Sequence, residues 1–262
     1  MEAHTTDVYE FPAYYDVLFD RNYPAECDFM EACLRRHGAT EERSFVELGC
    51  GPAHNARELA RRGWRAAGLD LSSAMLAYAE REARRAGVSI ELVKGDFTDF
   101  DLPQKAAVAA CLWDTIFVVL RNEDMIRHLR AVARNLTPGG VYIIETTHPR
   151  YHVEPYQKYT HRGQNAEVEV ELTWGRPDDP YDCIEQRYLV TVELVARQRG
   201  EVVARQVTHV PQRCYRTQEL RALIALSGAF AEVHFYGRTD LPLLPLSDEP
   251  ECDGMVAVLV KR

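Results

Sequence analysis

The 262-residue chain predicts an α/β fold, a mostly parallel sheet with helices on both faces, interrupted by an inserted antiparallel β segment. Three observations carry this. Residues Val46 to Asn55, Val-Glu-Leu-Gly-Cys-Gly-Pro-Ala-His-Asn, read as a strand, a glycine turn and a helix start. Nineteen residues after Gly51, a second strand ends in a carboxylate, Asp70. Strand and helix signals alternate as far as His148, then give way between Ala166 and Cys214 to strand-like patterns almost free of helix.

Taken in order, Pro24 to His37 is a helix stopped by Gly38. Phe45 to Leu48 is the first strand, and Asn55 is the expected cap of a helix ending at Gly63. Arg65 to Leu69 is the second strand. Ser72 or Ser73 opens a helix to Ala86, which Gly87 terminates. Asn122 is expected to cap a helix running to about Asn135. In the β segment, Glu167-Val-Glu-Val-Glu-Leu-Thr-Trp174 alternates with period two. Arg187 to Arg197 and Val202 to Val210 follow, joined by a turn at Arg199-Gly200, so three antiparallel strands with one wet face are expected. Helix resumes from Thr217, the expected cap, to Ser227, with Gly228 as its stop. Strands Ala231 to Tyr236 and Met255 to Val260 close the main sheet.

Glycines 49 and 51 allow a tight turn and close approach of backbone to a ligand. Asp70 then stands where a carboxylate accepts hydrogen bonds from two ribose hydroxyls; without the preceding turn it would read as a solvated strand end. A dinucleotide loop wants a third glycine where this chain has His54, so that the helix packs closely and offers its N-terminus to a pyrophosphate. Glu47, before the first glycine, repels a diphosphate and suits a ligand carrying an ammonium group, its alternative use being to cap a helix. A cationic, phosphate-free nucleoside is favoured.

On these residues the segment resembles motif I of the class I S-adenosylmethionine-dependent methyltransferases, acid-x-Gly-x-Gly-x-Gly, with Ala53 in place of the third glycine. Further marks follow in the family's order. Ile90-Glu-Leu-Val-Lys-Gly-Asp96-Phe97 looks like the motif whose acid bonds the adenine amino group and whose aromatic packs on the ring. Ala106 to Thr115 is similar to the fourth strand and its mouth, with Ala107 where an aspartate is usual. Asn135-Leu-Thr-Pro-Gly-Gly140 before Val141-Tyr-Ile-Ile-Glu145 is similar to the turn and strand of many members.

The resemblance implies a Rossmann-like class I methyltransferase sheet and S-adenosylmethionine as methyl donor. It places Glu47, Gly49, Cys50 and Gly51 of the turn at the donor, followed by Asp70, Leu71 and Met75, then Asp96, Phe97 and Leu112. Cys50, with no acid-base partner in sequence, reads as a small packed residue at that turn. The openings Phe11-Pro-Ala-Tyr14-Tyr15-Asp16 and Arg21-Asn-Tyr23-Pro-Ala-Glu26, with the β segment, resemble amino-sugar N,N-dimethyltransferases and add Tyr15 and Tyr23 to the donor set. The expected division is a donor-binding domain, 1–148 and 217–262, with 149–216 an inserted antiparallel β lid over the substrate site, because the insertion leaves from the carboxyl ends of the strands.

A net charge of −9 gives no electrostatic footprint for nucleic acid. Seven cysteines without Cys-x-x-Cys spacing point to reduced thiols rather than disulfides or a metal site. The opening Met-Glu-Ala-His-Thr-Thr-Asp has neither the basic nor the apolar stretch of a signal peptide. The longest apolar stretch, Ala106 to Leu120, is broken by Asp114 and too short for a membrane span. A soluble, cytoplasmic protein with a small-molecule substrate is expected, its assembly as a homodimer left open.

A sulfonium donor carries its own electrophile, so the protein has mainly to align a nucleophile and exclude water. Three residues are catalytic candidates, each with a plainer alternative. Tyr15 closes over the donor methyl or anchors its segment by packing. His148 is a general base or a structural histidine before Pro149. Asp114 binds an ammonium or orients a hydroxyl, or it caps a turn. Arg150, Arg187 and Arg213 suit an anionic acceptor or a solvated face. The functional expectation is N- or O-methylation of a small metabolite. Its alternatives are an inactive donor-binding module and a nicotinamide-dependent oxidoreductase.

Overall fold

A computed structural model of the chain describes residues 8–19, 21–152 and 158–262. It falls into two compact units, Asn22–Tyr151 with Tyr215–Arg262, and Met1–Arg21 with His152–Cys214. The N-terminal segment therefore groups with the β segment, whereas the sequence placed it with the main sheet. The reason is apolar: Val8 and Leu18 are buried in one cluster with Val170, Leu172, Val190 and Val192.

In the smaller unit, α1 (Pro12–Leu18) begins on a proline, whose missing N–H costs nothing in a first turn. The strands β6 (Tyr159–Gln164), β7 (Glu169–Trp174), β9 (Arg187–Gln198) and β10 (Glu201–Gln212) run antiparallel in the order β10-β9-β7-β6, and the short β8 (Tyr181–Asp182) pairs with β9. The three expected strands are present. β6 and β8 were not readable, because Tyr-Thr-His-Arg-Gly-Gln offers no apolar alternation. Arg199 and Gly200 both take positive φ, +52° and +82°, the backbone that a two-residue hairpin requires.

The larger unit contains α2 (Tyr23–His37), β1 (Ser44–Leu48), α3 (His54–Arg61), β2 (Arg65–Asp70), α4 (Ser73–Arg85), β3 (Glu91–Lys94), β4 (Ala106–Cys111), α5 (Asn122–Asn135), β5 (Leu136–Thr147), α6 (Thr217–Ser227), β11 (Phe230–Tyr236) and β12 (Gly254–Lys261). Its seven strands lie in the order β11-β12-β5-β4-β1-β2-β3, parallel except for β12, which runs antiparallel to both neighbours. Every residue of β1 and β4 is buried, so both faces of the sheet are covered at its centre. Phe29 and Met30 of α2 and Leu59 of α3 pack with Phe45, Val108 and Ile143 of the sheet. Strand order reverses between β1 and β4, and open α/β sheets bind ligands at the carboxyl ends beside such a reversal.

Helix starts differ from expectation in a consistent way. Ser72 caps α4, its hydroxyl accepting the Met75 N–H at 3.2 Å, as the sequence indicated. Asn122 and Thr217, by contrast, are the first helical residues, behind Arg121 and Arg216. Ala53, left-handed at φ +57°, precedes α3, and Asn55 turns inward instead of capping. The expected turn before β5 is a bulge within it: Ala106 pairs with Leu136 and Val108 with Val141, leaving Thr137 to Gly140 looped out.

Candidate active site

The glycine turn leaves β1 at the strand reversal. Gly49 and Gly51 sit at φ +64° and +48°, where a side chain is strained. At Gly49 the space is also taken, since a Cβ there would stand 2.5 Å from Thr115 Cγ2. The Cys50 N–H donates to the Leu69 carbonyl at 3.0 Å, tying the turn to β2. Its thiol packs where a Cβ on Gly68 would come within 2.7 Å, and burial pushes it well above the usual thiol range, so Cys50 is packing rather than a nucleophile.

Asp70 ends β2 beside this turn. Its two carboxylate oxygens accept the Gly51 and Ser72 N–H groups, each at 2.8 Å. Burial pushes the carboxyl above its ordinary value, against the pull of those N–H groups. Leu71, next in the chain, is an apolar side chain 69% exposed. A carboxylate fixed by backbone donors and an adjoining bare apolar surface fit a ribose and the ring attached to it. Met75 and Leu112, expected in the donor set, are both buried, at 1% and 4% exposure.

Asp96 is exposed and accepts the Thr98 N–H at 2.8 Å. Phe97 is held by a residue that the sequence reading missed, His128 of α5. The His128 Nδ1 donates to the Phe97 carbonyl at 2.7 Å, and its Nε2 accepts from the Tyr142 hydroxyl at 2.6 Å. Tyr23 stacks on His54 with ring centres 4.2 Å apart and planes 5° from parallel. The histidine that spoils a dinucleotide loop is thus an aromatic partner at the edge of the turn.

Glu47 turns toward α3 instead of standing open to a ligand. It accepts the Ala56 N–H at 3.2 Å and an Asn55 amide N–H at 3.3 Å, while the same amide donates to Glu26 at 3.0 Å. Burial pushes Glu47 up to about 7, against the Ala56 and Asn55 bonds. A carboxyl near 4.5 unfolded and about 7 folded favours the fold fully below pH 4.5, and that contribution is lost as pH rises through 7. Buried His128, pushed down by burial to about 4, acts oppositely: its contribution is complete above pH 6.5 and lost as pH falls through 4. The two oppose each other between pH 4.5 and 6.5. Glu47→Gln is expected to make stability in urea rise with pH across that window more steeply than in the parent, by about 1.4 kcal/mol per pH unit. Equal slopes would contradict the assignment.

The catalytic candidates are corrected in two of three cases. His148 is 5% exposed and has both ring nitrogens engaged: Nε2 meets the Ser247 carbonyl at 3.0 Å, and Nδ1 accepts from Arg150 N and Nε at 3.1 and 3.0 Å. A carbonyl only accepts and a guanidinium only donates, so the ring is the Nε2–H tautomer with its lone pair taken, which does not suit a general base. Asp114 clasps the end of β5, accepting the Thr147 N–H at 2.5 Å and the Thr147 hydroxyl at 2.6 Å, instead of presenting both oxygens to a substrate. Tyr15 lies in the smaller unit, its ring 5.5 Å from Tyr9 and 4.5 Å from Phe19. Beyond β4, Trp113 and Asp114 are both left-handed, φ +59° and +57°, a strain of roughly 1–3 kcal/mol each. The Trp113 N–H donates to Glu145 of β5 at 3.1 Å.

Six strands running parallel, reversed between β1 and β4, with a glycine turn after β1, a carboxylate ending β2 and an antiparallel strand inserted at the far side, define the class I S-adenosylmethionine-dependent methyltransferase fold. Residues 45–140 match the family described as a methyltransferase domain. It is 31% identical over 118 residues to a cypemycin N-terminal methyltransferase of Streptomyces sp, covering 45% of this chain and 47% of that one. It is 31% identical over 148 residues to the dTDP-4-amino-2,3,4,6-tetradeoxy-D-glucose N,N-dimethyltransferase of Saccharopolyspora spinosa, covering 55% of this chain and 57% of that one. Streptomyces venezuelae DesVI superimposes with a TM-score of 0.76 at 18% identity, over 98% of this chain and 99% of that one. The chain spans about half the length of the first two relatives. Among the described residues no helix is long and apolar enough to cross a membrane.

Proposed function

We propose that the protein transfers a methyl group from S-adenosylmethionine to a nitrogen of a small-molecule acceptor, in the manner of the amino-sugar N,N-dimethyltransferases it is similar to. The observation that carries the reading is Asp70, fixed by the Gly51 and Ser72 N–H groups beside the exposed Leu71. In this reading Asp70 receives the ribose hydroxyls, Leu71 and Phe97 flank the adenine, Asp96 meets its amino group, and the glycine turn, bare of side chains at 49 and 51, lies along the methionine portion. Glu47 supports the turn from behind through Asn55 and Ala56.

When bound, S-adenosylmethionine supplies a methyl group already activated on a sulfonium. The chain's own part is to bind, orient and exclude water. With His148 and Asp114 engaged as described, the acceptor amine enters as its free base and neither residue is assigned the removal of its proton. The β segment follows the carboxyl end of β5 in the chain, and Tyr15 is carried on the same unit as that segment. Five of the seven cysteines are buried and none stands in a Cys-x-x-Cys spacing, which supports a reducing cytoplasmic setting.

Calorimetry with S-adenosylhomocysteine and with NAD tests the donor assignment. Binding of the first alone supports it, and binding of neither overturns it. Incubation with labelled donor and a panel of nucleotide-linked amino sugars then separates an enzyme from a donor-binding module, for which no label moves.

A further inference from the structure

Between the donor turn and β5 lies a continuous chain of contacts. Thr147, at the carboxyl end of β5, gives both its N–H and its hydroxyl to Asp114. Asp114 and Trp113 form a left-handed pair that neither residue adopts willingly, and a second tie, from the Trp113 N–H to Glu145, holds the same pair. The next residue, Thr115, starts a short 3-10 helix and places its methyl in the space a side chain on Gly49 would occupy. The strained turn is therefore clamped to β5 on one side and packed against the first glycine of the donor turn on the other.

We propose that Asp114 is a positioning residue: through its clasp on Thr147 it holds the Trp113–Asp114 turn in its left-handed form, and through Thr115 it sets the conformation of the Gly49–Gly51 turn that receives the donor. The inference rests on the donor site proposed above. Strain of this kind persists only where surrounding bonds over-determine it. Releasing the clasp lets the pair relax toward ordinary backbone, and Thr115 moves with it. Asp114 touches no reacting atom in this scheme, and its carboxylate charge is not needed. Asparagine retains the acceptor for the Thr147 N–H and offers the hydroxyl a donor in place of an acceptor.

The test compares Asp114→Ala, Asp114→Asn and the parent by calorimetry with S-adenosylhomocysteine and by amide hydrogen exchange of the ligand-free protein. Asp114→Ala is expected to bind about tenfold more weakly, the size of coupling that packed side chains transmit. It is also expected to raise exchange both at 112–118 and at 49–53. Asp114→Asn is expected to stay within about twofold of the parent in affinity. Faster exchange confined to 112–118, or unchanged affinity in Asp114→Ala, overturns the proposal. If Asp114→Ala does not fold, Thr147→Val, which removes only the hydroxyl bond, is read by the same criteria. A parent that binds no S-adenosylhomocysteine sinks the donor assignment instead, and exchange at 49–53 still decides the coupling.

Discussion

Asp70→Ala will weaken S-adenosylhomocysteine binding by about a hundredfold, the lower end of what two charge-assisted hydrogen bonds at roughly 1.5–3 kcal/mol each supply. The carboxylate sits at the strand end with both oxygens held by the Gly51 and Ser72 N–H groups, so its orientation is set before any ligand arrives. Such preorganisation lets the hydrogen bonds form without first ordering a mobile side chain. Asp70→Asn keeps one carbonyl acceptor and loses the charge, and is expected to fall between the two. Asp96→Ala is the internal comparison: exposed, and tied in the structure to the Thr98 N–H, it is expected to lose about tenfold, one hydrogen bond's worth. Calorimetry on folded variants measures all three. An Asp70→Ala protein that binds like the parent would refute the ribose assignment outright.

Gly49→Ala will destabilise the larger unit by about 2–4 kcal/mol, combining a left-handed alanine with an overpacked contact. The backbone stands at φ +64°, and the new Cβ would lie 2.5 Å from Thr115 Cγ2, with the next Thr115 atoms at 3.7 and 3.8 Å. Thr115→Ser deletes the offending methyl and leaves ordinary contact distances. The double variant should therefore recover the packing share and retain only the backbone share, about 1–2 kcal/mol. Gly51→Ala offers a contrast, because at φ +48° its Cβ meets nothing nearer than Met75 Sδ at 4.0 Å. It pays the backbone penalty alone, about 1 kcal/mol. Chemical denaturation of the four proteins checks the series. A double variant no more stable than Gly49→Ala would show that the contact with Thr115 is not what requires glycine there.

Where sequence and structure agree, the signal was local. The period of apolar residues located β1, β2 and β7. Gly228 stops α6 at φ +67°, and Ser72 caps α4, because both depend on the chain within a turn of themselves. The glycine turn and Asp70 were legible for a related reason: a short βαβ spacing forces the end of β2 beside the end of β1. The misread residues have partners far along the chain or an unforeseen local neighbour. Asn55 looks like a helix cap, yet its amide is spent on Glu26, 29 residues back, and on Glu47. His148 looks like a base, but Ser247, 99 residues on, and its neighbour Arg150 take both nitrogens. His128 gave no signal at all, being one more residue of an amphipathic helix until Phe97 and Tyr142 are folded around it.

The sequence by itself determined the kind of sheet and the place of the glycine turn and Asp70 at its carboxyl end, where the nucleoside is proposed to bind, since each follows from residue type and short-range spacing. Tertiary structure alone decided what the polar side chains beside the site are doing. A carboxylate or an imidazole can take up a ligand, a proton or a structural hydrogen bond. Which of these it does depends on the donors and acceptors that folding brings within about 3 Å, and local pattern does not specify those groups.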